Sequence, residues 1–254
     1  MISNDEVKNL SKKFDIDEIT VLREYFEVLF LTNLFSFKES SKIFFKGGTS
    51  LRLFLNSFRF SEDLDFTSLL ENSDLISVIE KTYKKMKNYI TDINLKNIEK
   101  KRDSMITYLS YQEKNMKFPL NIHIEFSIRE KPLTMKESIL ITPYPIILYP
   151  FIVHLSWEEI LAEKIRALLK REKGRDLFDI WFLLSKDIKI DMDIVNKKME
   201  YYNEKIKLED IINKIKNFNE EYLILDLTKF LPRGYRKIIK DLKNLTINEI
   251  LKSI

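Results

Sequence analysis

No cysteine occurs in the 254 residues, which removes disulfide scaffolds and thiol chemistry from consideration. Glycine is nearly as scarce, at four residues, and two of those four stand side by side as Gly47-Gly48. In a background that avoids the residue, such a pair marks a backbone that needs φ > 0 or close approach by a ligand. Long apolar runs are also missing. Nowhere do about 18 apolar residues pass without a charge, the length a membrane-spanning helix needs. The segment Met1–Glu6 has no basic region leading into an apolar stretch, so the expectation is a protein that avoids the membrane and works in the cytoplasm. Neither an internal repeat nor a low-complexity segment is present, and the length suits one large or two small domains.

What is present centres on the glycine pair. Ile43-Phe44-Phe45 reads as a short buried strand and Thr49–Leu55 as a helix, so Lys46-Gly47-Gly48-Thr49-Ser50 joins a strand to a helix N-terminus. Unpaired N–H groups and the positive end of the helix dipole suit a phosphate there. Downstream, Arg59-Phe60-Ser61-Glu62-Asp63-Leu64-Asp65-Phe66 reads as a second strand. Strand alternation puts Ser61, Asp63 and Asp65 on one face and Leu64 and Phe66 on the other. Two carboxylates on one face are hard oxygen donors of the kind that hold Mg²⁺ and present it to substrate phosphates.

Glycine turn and Asp-x-Asp pair, in this order and spacing, resemble the polymerase-β-type nucleotidyltransferase superfamily. Within it, Lys46–Leu51 together with Arg59–Asp65 resembles the AbiEii/AbiGii toxin family of abortive-infection and toxin–antitoxin systems. The likeness runs from about Phe14 to Leu184. It implies nucleotide contacts from Lys46, Gly47, Gly48, Thr49, Ser50, Arg59 and Arg175, with either Thr49 or Ser50 supplying the hydroxyl. It further implies growth inhibition, a cognate antitoxin encoded nearby, and, for some relatives, an RNA acceptor at a tRNA 3′ end.

A second block lies further on. Ser156 and Glu159 form a capping box that opens a helix to about Glu172, with Trp157, Ile160, Leu161 and Leu168 on one stripe and Lys164 within it. A lysine on an apolar stripe either snorkels to solvent or serves a partner. Gly174–Leu184 supplies candidates, because Asp176 and Asp179 share a helix face and a buried carboxylate needs a partner or a function. A structural salt-bridge network and a catalytic set are both open readings of these three residues. Lys164, Arg175, Asp176 and Asp179 also match the second signature of AbiEii-like toxins, and the resemblance carries them to the site. There Lys164 would meet a phosphate oxygen and either Asp176 or Asp179 would activate the acceptor or assist the metal. All three are expected to converge on the Asp63/Asp65 pair.

A third carboxylate is sought on a strand beside Asp63 and Asp65. Asn121–Ser127 alternates so that His123, Glu125 and Ser127 share a face, making Glu125 the candidate metal ligand and His123 a strand-face residue. The net charge is +4, and residues 196–244, with twelve basic and eight acidic side chains, hold the whole excess. Arg233, Arg236, Lys237, Lys240 and Lys243 cluster there, and Lys81, Lys84 and Lys85 form a second stripe. Such faces are solvated surface or phosphate contacts for an RNA. The aromatic interleaving of an RNA-binding sheet is not evident.

The resulting expectation is an α/β (α+β) chain. Residues 1–150 would form a nucleotidyltransferase-type mixed sheet with flanking helices, and 151–254 a helical lobe contributing Lys164 and Arg175-Asp176-x-x-Asp179. A helix is expected at Asp17–Phe35, further strands at Ile93–Ile98, Ser104–Gln112 and Leu120–Ile128, and an irregular connector at Pro132–Pro150 with a short strand at Ile146–Tyr149. The expected function is Mg²⁺-dependent transfer of a nucleotide from an NTP to an acceptor hydroxyl with release of pyrophosphate. Rival readings are a catalytically idle binding module of the same fold, a protein-nucleotidylating enzyme and a phosphotransferase.

Overall fold

The computed structural model describes residues 1–114 and 116–252. Two compact units divide the chain, Met1–Leu155 and Ser156–Ile254. The N-terminal unit opens with α1 (Asn4–Phe14), capped by the reciprocal Ser3/Glu6 pair, and α2 (Glu18–Leu34), whose N-cap Asp17 accepts from the Thr20 N–H at 2.9 Å. Then follow β1 (Ile43–Lys46), α3 (Gly47–Leu55), β2 (Asp63–Ser68), α4 (Asn72–Lys87), β3 (Ile93–Leu95), β4 (Glu99–Lys100), β5 (Ser104–Tyr111), β6 (Leu120–Ser127), β7 (Met135–Ile139) and β8 (Phe151–Leu155). The strands form one mixed sheet in the order β3-β5-β6-β2-β1-β8-β7, with β4 beside β5.

Two pairings place the site. β1 runs antiparallel to β2, with Phe45 opposite Phe66 and Lys46 opposite Asp65, and β2 runs parallel to β6, with Phe66 beside Phe126 and Asp65 beside Glu125. The Phe66 ring lies 5.3 Å from Phe45 and 4.7 Å from Phe126 between centroids, a fully buried aromatic row across three strands. Because side chains alternate along a strand, burying that row turns Asp63, Asp65, His123 and Glu125 to the other, accessible face. A one-residue slip would exchange the faces, so the aromatic row also fixes the register.

α2 departs from the simple one-sided pattern. Its core contacts extend nearly all round, and Glu24 and Glu27 are buried with the apolar residues. The connector at Pro132–Pro150 departs further, since it contains β7, which pairs antiparallel with β8, while 146–149 forms no strand. Ile147, Leu148 and Tyr149 remain exposed there and have no sheet to pack on. β7 reads Met-Lys-Glu-Ser-Ile, an edge strand with little alternation, and it is recruited by β8 rather than by its own pattern. Because β8 joins β1 in parallel, the sheet extends to Leu155.

The C-terminal unit is helical: α5 (Trp157–Lys170), α6 (Gly174–Leu184), α7 (Met192–Met199), α8 (Leu208–Lys216), α9 (Glu220–Leu227) and α10 (Leu242–Lys252). The Ser156 hydroxyl caps α5 by accepting from the Glu159 N–H at 3.2 Å. α5 packs on α6 and α7, and α6 on α9 and α10. Gly174 permits the close approach of α6 to α9, since a Cβ there would stand 3.0 Å from the Leu223 backbone.

Candidate active site

The two glycines begin α3 itself, and each makes room for a polar side chain. Gly47 has φ +80°, and a Cβ on it would fall 2.2 Å from Asp65 Oδ2 and 2.9 Å from Asp65 Cβ. On Gly48 a Cβ would fall 2.1 Å from Arg59 Nη2 and 3.1 Å from Ser61 Oγ. Asp65 therefore rests directly on the backbone of the glycine turn. The N-cap residue Lys46 makes no side-chain capping bond to α3, and the helix's first N–H groups, which have no intrahelical acceptor, adjoin that carboxylate. Thr49, buried, donates from Oγ1 to the Asp63 carbonyl at 2.6 Å, and Ser50 Oγ donates to the Gly47 carbonyl at 2.7 Å. Both hydroxyls thus fasten the turn to its surroundings. Arg59 is buried against Gly48 and donates from Nη1 to the Phe60 carbonyl at 2.8 Å.

On the accessible face, Asp63 stands beside His123 and Asp65 beside Glu125 on the neighbouring strand. His123 Nδ1 lies 3.8 Å from Asp63 Oδ1. Among the described residues no three or more His, Asp or Glu side chains are gathered closely enough to form a ready metal cage. The donor set nevertheless suits Mg²⁺, a hard cation that takes one or two carboxylates and completes its shell with water and substrate phosphates. Asp63 and Asp65 would supply that pair, with Glu125 in register beside Asp65.

α2 contributes groups that pattern reading passed over. Arg52 of α3 is held by Glu24, with Nε 2.7 Å from Oε2, and stacks over Phe60 at 4.0 Å, while the Tyr144 hydroxyl donates to Glu24 Oε1 at 3.0 Å. One turn on, Glu27 is buried, and its Oε1 has no hydrogen-bond partner among the described residues. Burial is the main cause that raises its carboxyl well above the ordinary range; the Glu24 charge adds to the shift, and Arg23 opposes it. Arg23 Nη1 pairs with Glu62 Oε1 at 2.9 Å, next to Asp63 in sequence. These acids interrupt an apolar helix, which is the only signal the sequence offers of them.

In the C-terminal unit Lys164 Nζ lies 2.7 Å from Asp179 Oδ2 and 3.6 Å from Asp176 Oδ1, and both carboxylates are fully buried. Arg171, absent from the sequence-derived candidates, clasps Asp176 with Nε and Nη2 at 2.8 and 3.1 Å. Arg175 takes another direction. Its N–H donates to Asp226 Oδ2 at 2.9 Å, and its guanidinium covers the Phe230 ring at 5.3 Å. On the other side of α5, buried Lys198 binds Glu159 at 2.6 Å and Glu163 at 3.0 Å.

A mixed sheet carrying two carboxylates against a glycine turn is the arrangement of a nucleotidyltransferase. Solved structures that share the fold include the following three. JHP933 of Helicobacter pylori and a putative nucleotidyltransferase of the same organism are each 21% identical with a TM-score of 0.57 over 93% of this chain, covering 94% and 97% of theirs. MenT4, a nucleotidyltransferase toxin of Mycobacterium tuberculosis, is 16% identical with a TM-score of 0.63 over 98% of this chain and 90% of its own. No functionally curated protein matches the chain. The family model described as nucleotidyl transferase AbiEii toxin, type IV toxin–antitoxin system, matches residues 29–249, and the chain belongs to that family. It is a nucleotidyltransferase toxin. Membership implies a nucleotide substrate and an antitoxin partner, and such enzymes generally use a divalent metal. No helix among the described residues is long and apolar enough to cross a membrane.

Proposed function

We propose that the protein is a cytoplasmic toxin that transfers a nucleotide from an NTP to an acceptor hydroxyl on RNA, a tRNA 3′ end being the acceptor class the family suggests, with Mg²⁺ as the metal and pyrophosphate as the leaving group. The observation that carries this reading is the seating of Asp65 on Gly47, which brings the carboxylate pair against the helix N-terminus. The first N–H groups of α3 hold the triphosphate. Lys46, at the end of β1 and opposite Asp65, adds charge beside it, and Arg59 supports the turn through Gly48. Asp63 and Asp65 hold the metal, with Glu125 as third carboxylate; the bound ion supplies charge stabilisation of the transferred phosphoryl group and its leaving oxygen. The resemblance assigns a phosphate contact to Lys164 and an acceptor role to Asp176 or Asp179; within the C-terminal unit these three form one ion-paired set, and Arg175 sets the start of α6. Such chemistry needs few groups because positioning and electrostatics do most of it.

Growth arrest by the expressed protein, in the manner of an abortive-infection toxin, would follow from loss of usable acceptor. The test is incubation with each α-labelled NTP, Mg²⁺ and total RNA or lysate. Label in RNA is expected; label in protein alone would identify a protein-nucleotidylating enzyme, and no label with any NTP would leave a binding module.

A further inference from the structure

The accessible face of the sheet continues past the carboxylates. Tyr108 of β5 stands opposite His123 of β6, which stands beside Asp63. The Tyr108 and His123 rings lie 5.1 Å apart between centroids, tilted at 55°, and Lys96 Nζ lies 5.5 Å from the Tyr108 ring. Lys96 is held opposite Tyr108 by its N–H, which donates to the Tyr108 carbonyl at 2.9 Å. Beyond the ring the surface falls into an open depression of about 470 Å³ lined by Leu95, Lys96, Asn97, Glu99, Ile106 and Tyr108. Asp63, His123, Tyr108 and Lys96 thus form one row across four neighbouring backbone segments.

Sidedness gives this row its meaning. The glycine turn adjoins Asp65 from the β1 side, whereas His123 and Tyr108 extend from Asp63 on the β6 side. A triphosphate at the glycine turn leaves the opposite flank for the other reactant. Tyr108 is about 10 Å from β2, two strand spacings, close to the reach of a nucleoside whose hydroxyl faces Asp63. An exposed tyrosine, 39% accessible, with a cation beside its ring, presents a π-face and a phosphate contact together.

Building on the transfer reaction above, we propose that Tyr108 and His123 form a stacking platform for an unpaired base at the reacting end of a single-stranded RNA acceptor, with Lys96 on an adjacent phosphate. The depression, with Asn97 and Glu99 on its rim, receives the edge of the stacked base or its neighbour.

The full-length protein can be titrated into a fluorescently labelled single-stranded RNA nonamer of mixed sequence, and into the same nonamer as a duplex, with anisotropy as the readout. Stacking on one aromatic side chain predicts that Tyr108→Ala weakens single-strand binding about five- to 150-fold. Tyr108→Phe, which keeps the ring, should stay within about twofold of the parent, and duplex binding should be unchanged in both. Lys96→Ala should shallow the salt dependence by about one counterion. Thermal unfolding of each variant separates loss of binding from the small loss of a cross-strand ring pair. Failure of the parent to bind the single strand, equal affinity of Tyr108→Ala and parent, or equal losses for single strand and duplex would overturn the platform. Metal-dependent transfer assayed with Asp65→Asn reads the carboxylate site separately, so either assignment can fail alone.

Discussion

Replacing Gly47 with alanine tests whether the glycine turn exists to seat Asp65. The new methyl group would stand 2.2 Å from Asp65 Oδ2 and 2.9 Å from its Cβ, so the carboxylate cannot remain in place. Rotation of χ1 alone does not suffice, because the Asp65 Cβ is itself too near and β2 is fixed on both sides by β1 and β6. An alanine at φ +80° adds about 1–2 kcal/mol of backbone strain. With some relief of the clash by local shifts, the total cost is about 2–3 kcal/mol. At about 2–4 °C per kcal/mol for a domain of this size, the midpoint should fall by roughly 4–12 °C and the protein should remain folded at 25 °C. Activity should respond far more steeply. Displacing one electrostatic group of the site costs on the order of a hundredfold to a thousandfold, so Gly47→Ala should resemble Asp65→Asn in label transfer while being folded by circular dichroism. A folded Gly47→Ala variant within about tenfold of parent turnover would refute the link between turn and carboxylate.

Further expectations concern the buried polar groups. Lys164→Met should destabilise the C-terminal unit by about 3–5 kcal/mol by leaving Asp179 and Asp176 without that cation, and the double variant Lys164→Met/Asp179→Leu should regain most of the stability in urea unfolding while staying inactive; recovery of activity would mark the pair as structural only. Thr49→Val, which loses the hydrogen bond to the Asp63 carbonyl, should cost about 1–3 kcal/mol, read from the same titrations. Glu27 has a folded-state pKa above its unfolded one, so its contribution to stability is complete below the unfolded value, near about 4.3, and is lost as pH rises toward the folded value. Glu27→Gln should accordingly be more stable than the parent at neutral pH, by a margin that shrinks to nothing as the pH is lowered to about 4; a margin constant with pH would show that burial does not hold Glu27 protonated. In cells, the parent should arrest bacterial growth and Asp63→Asn should not, and equal toxicity would indicate action through binding.

Sequence patterning locates the strand, turn and helix around Gly47 and the alternating strands that become β2 and β6, because each buries aromatic or branched residues on one face, but the strand read from Arg59 begins only at Asp63, leaving Arg59–Glu62 in the connection. The Lys164–Asp179 contact is legible only as one of two readings, since a lysine on an apolar stripe can also snorkel to solvent; the carboxylates sharing a face of the next helix favour the pair the structure shows. Groups whose role depends on distant segments are not legible. Glu24 and Glu27 look like surface acids until α2 is buried on nearly every side, and Arg171, Asp226 and Lys198 acquire partners only when the helices assemble. β7 carries no pattern of its own and becomes a strand because β8 offers an open edge. Tyr108 and His123 fall on a polar face in the alternation, but their ring contact depends on the register of β5 against β6.

The central claim is that Asp63 and Asp65 bind the metal that drives nucleotidyl transfer. Its most direct test is isothermal titration of Mg²⁺ with a non-hydrolysable NTP into the parent, Asp63→Asn and Asp65→Asn proteins, paired with transfer of α-labelled NTP to total RNA. Metal-dependent nucleotide binding and transfer in the parent, with both reduced at least a hundredfold in each variant, is the predicted result. Retention of more than about a tenth of the parent transfer by both variants would contradict the assignment.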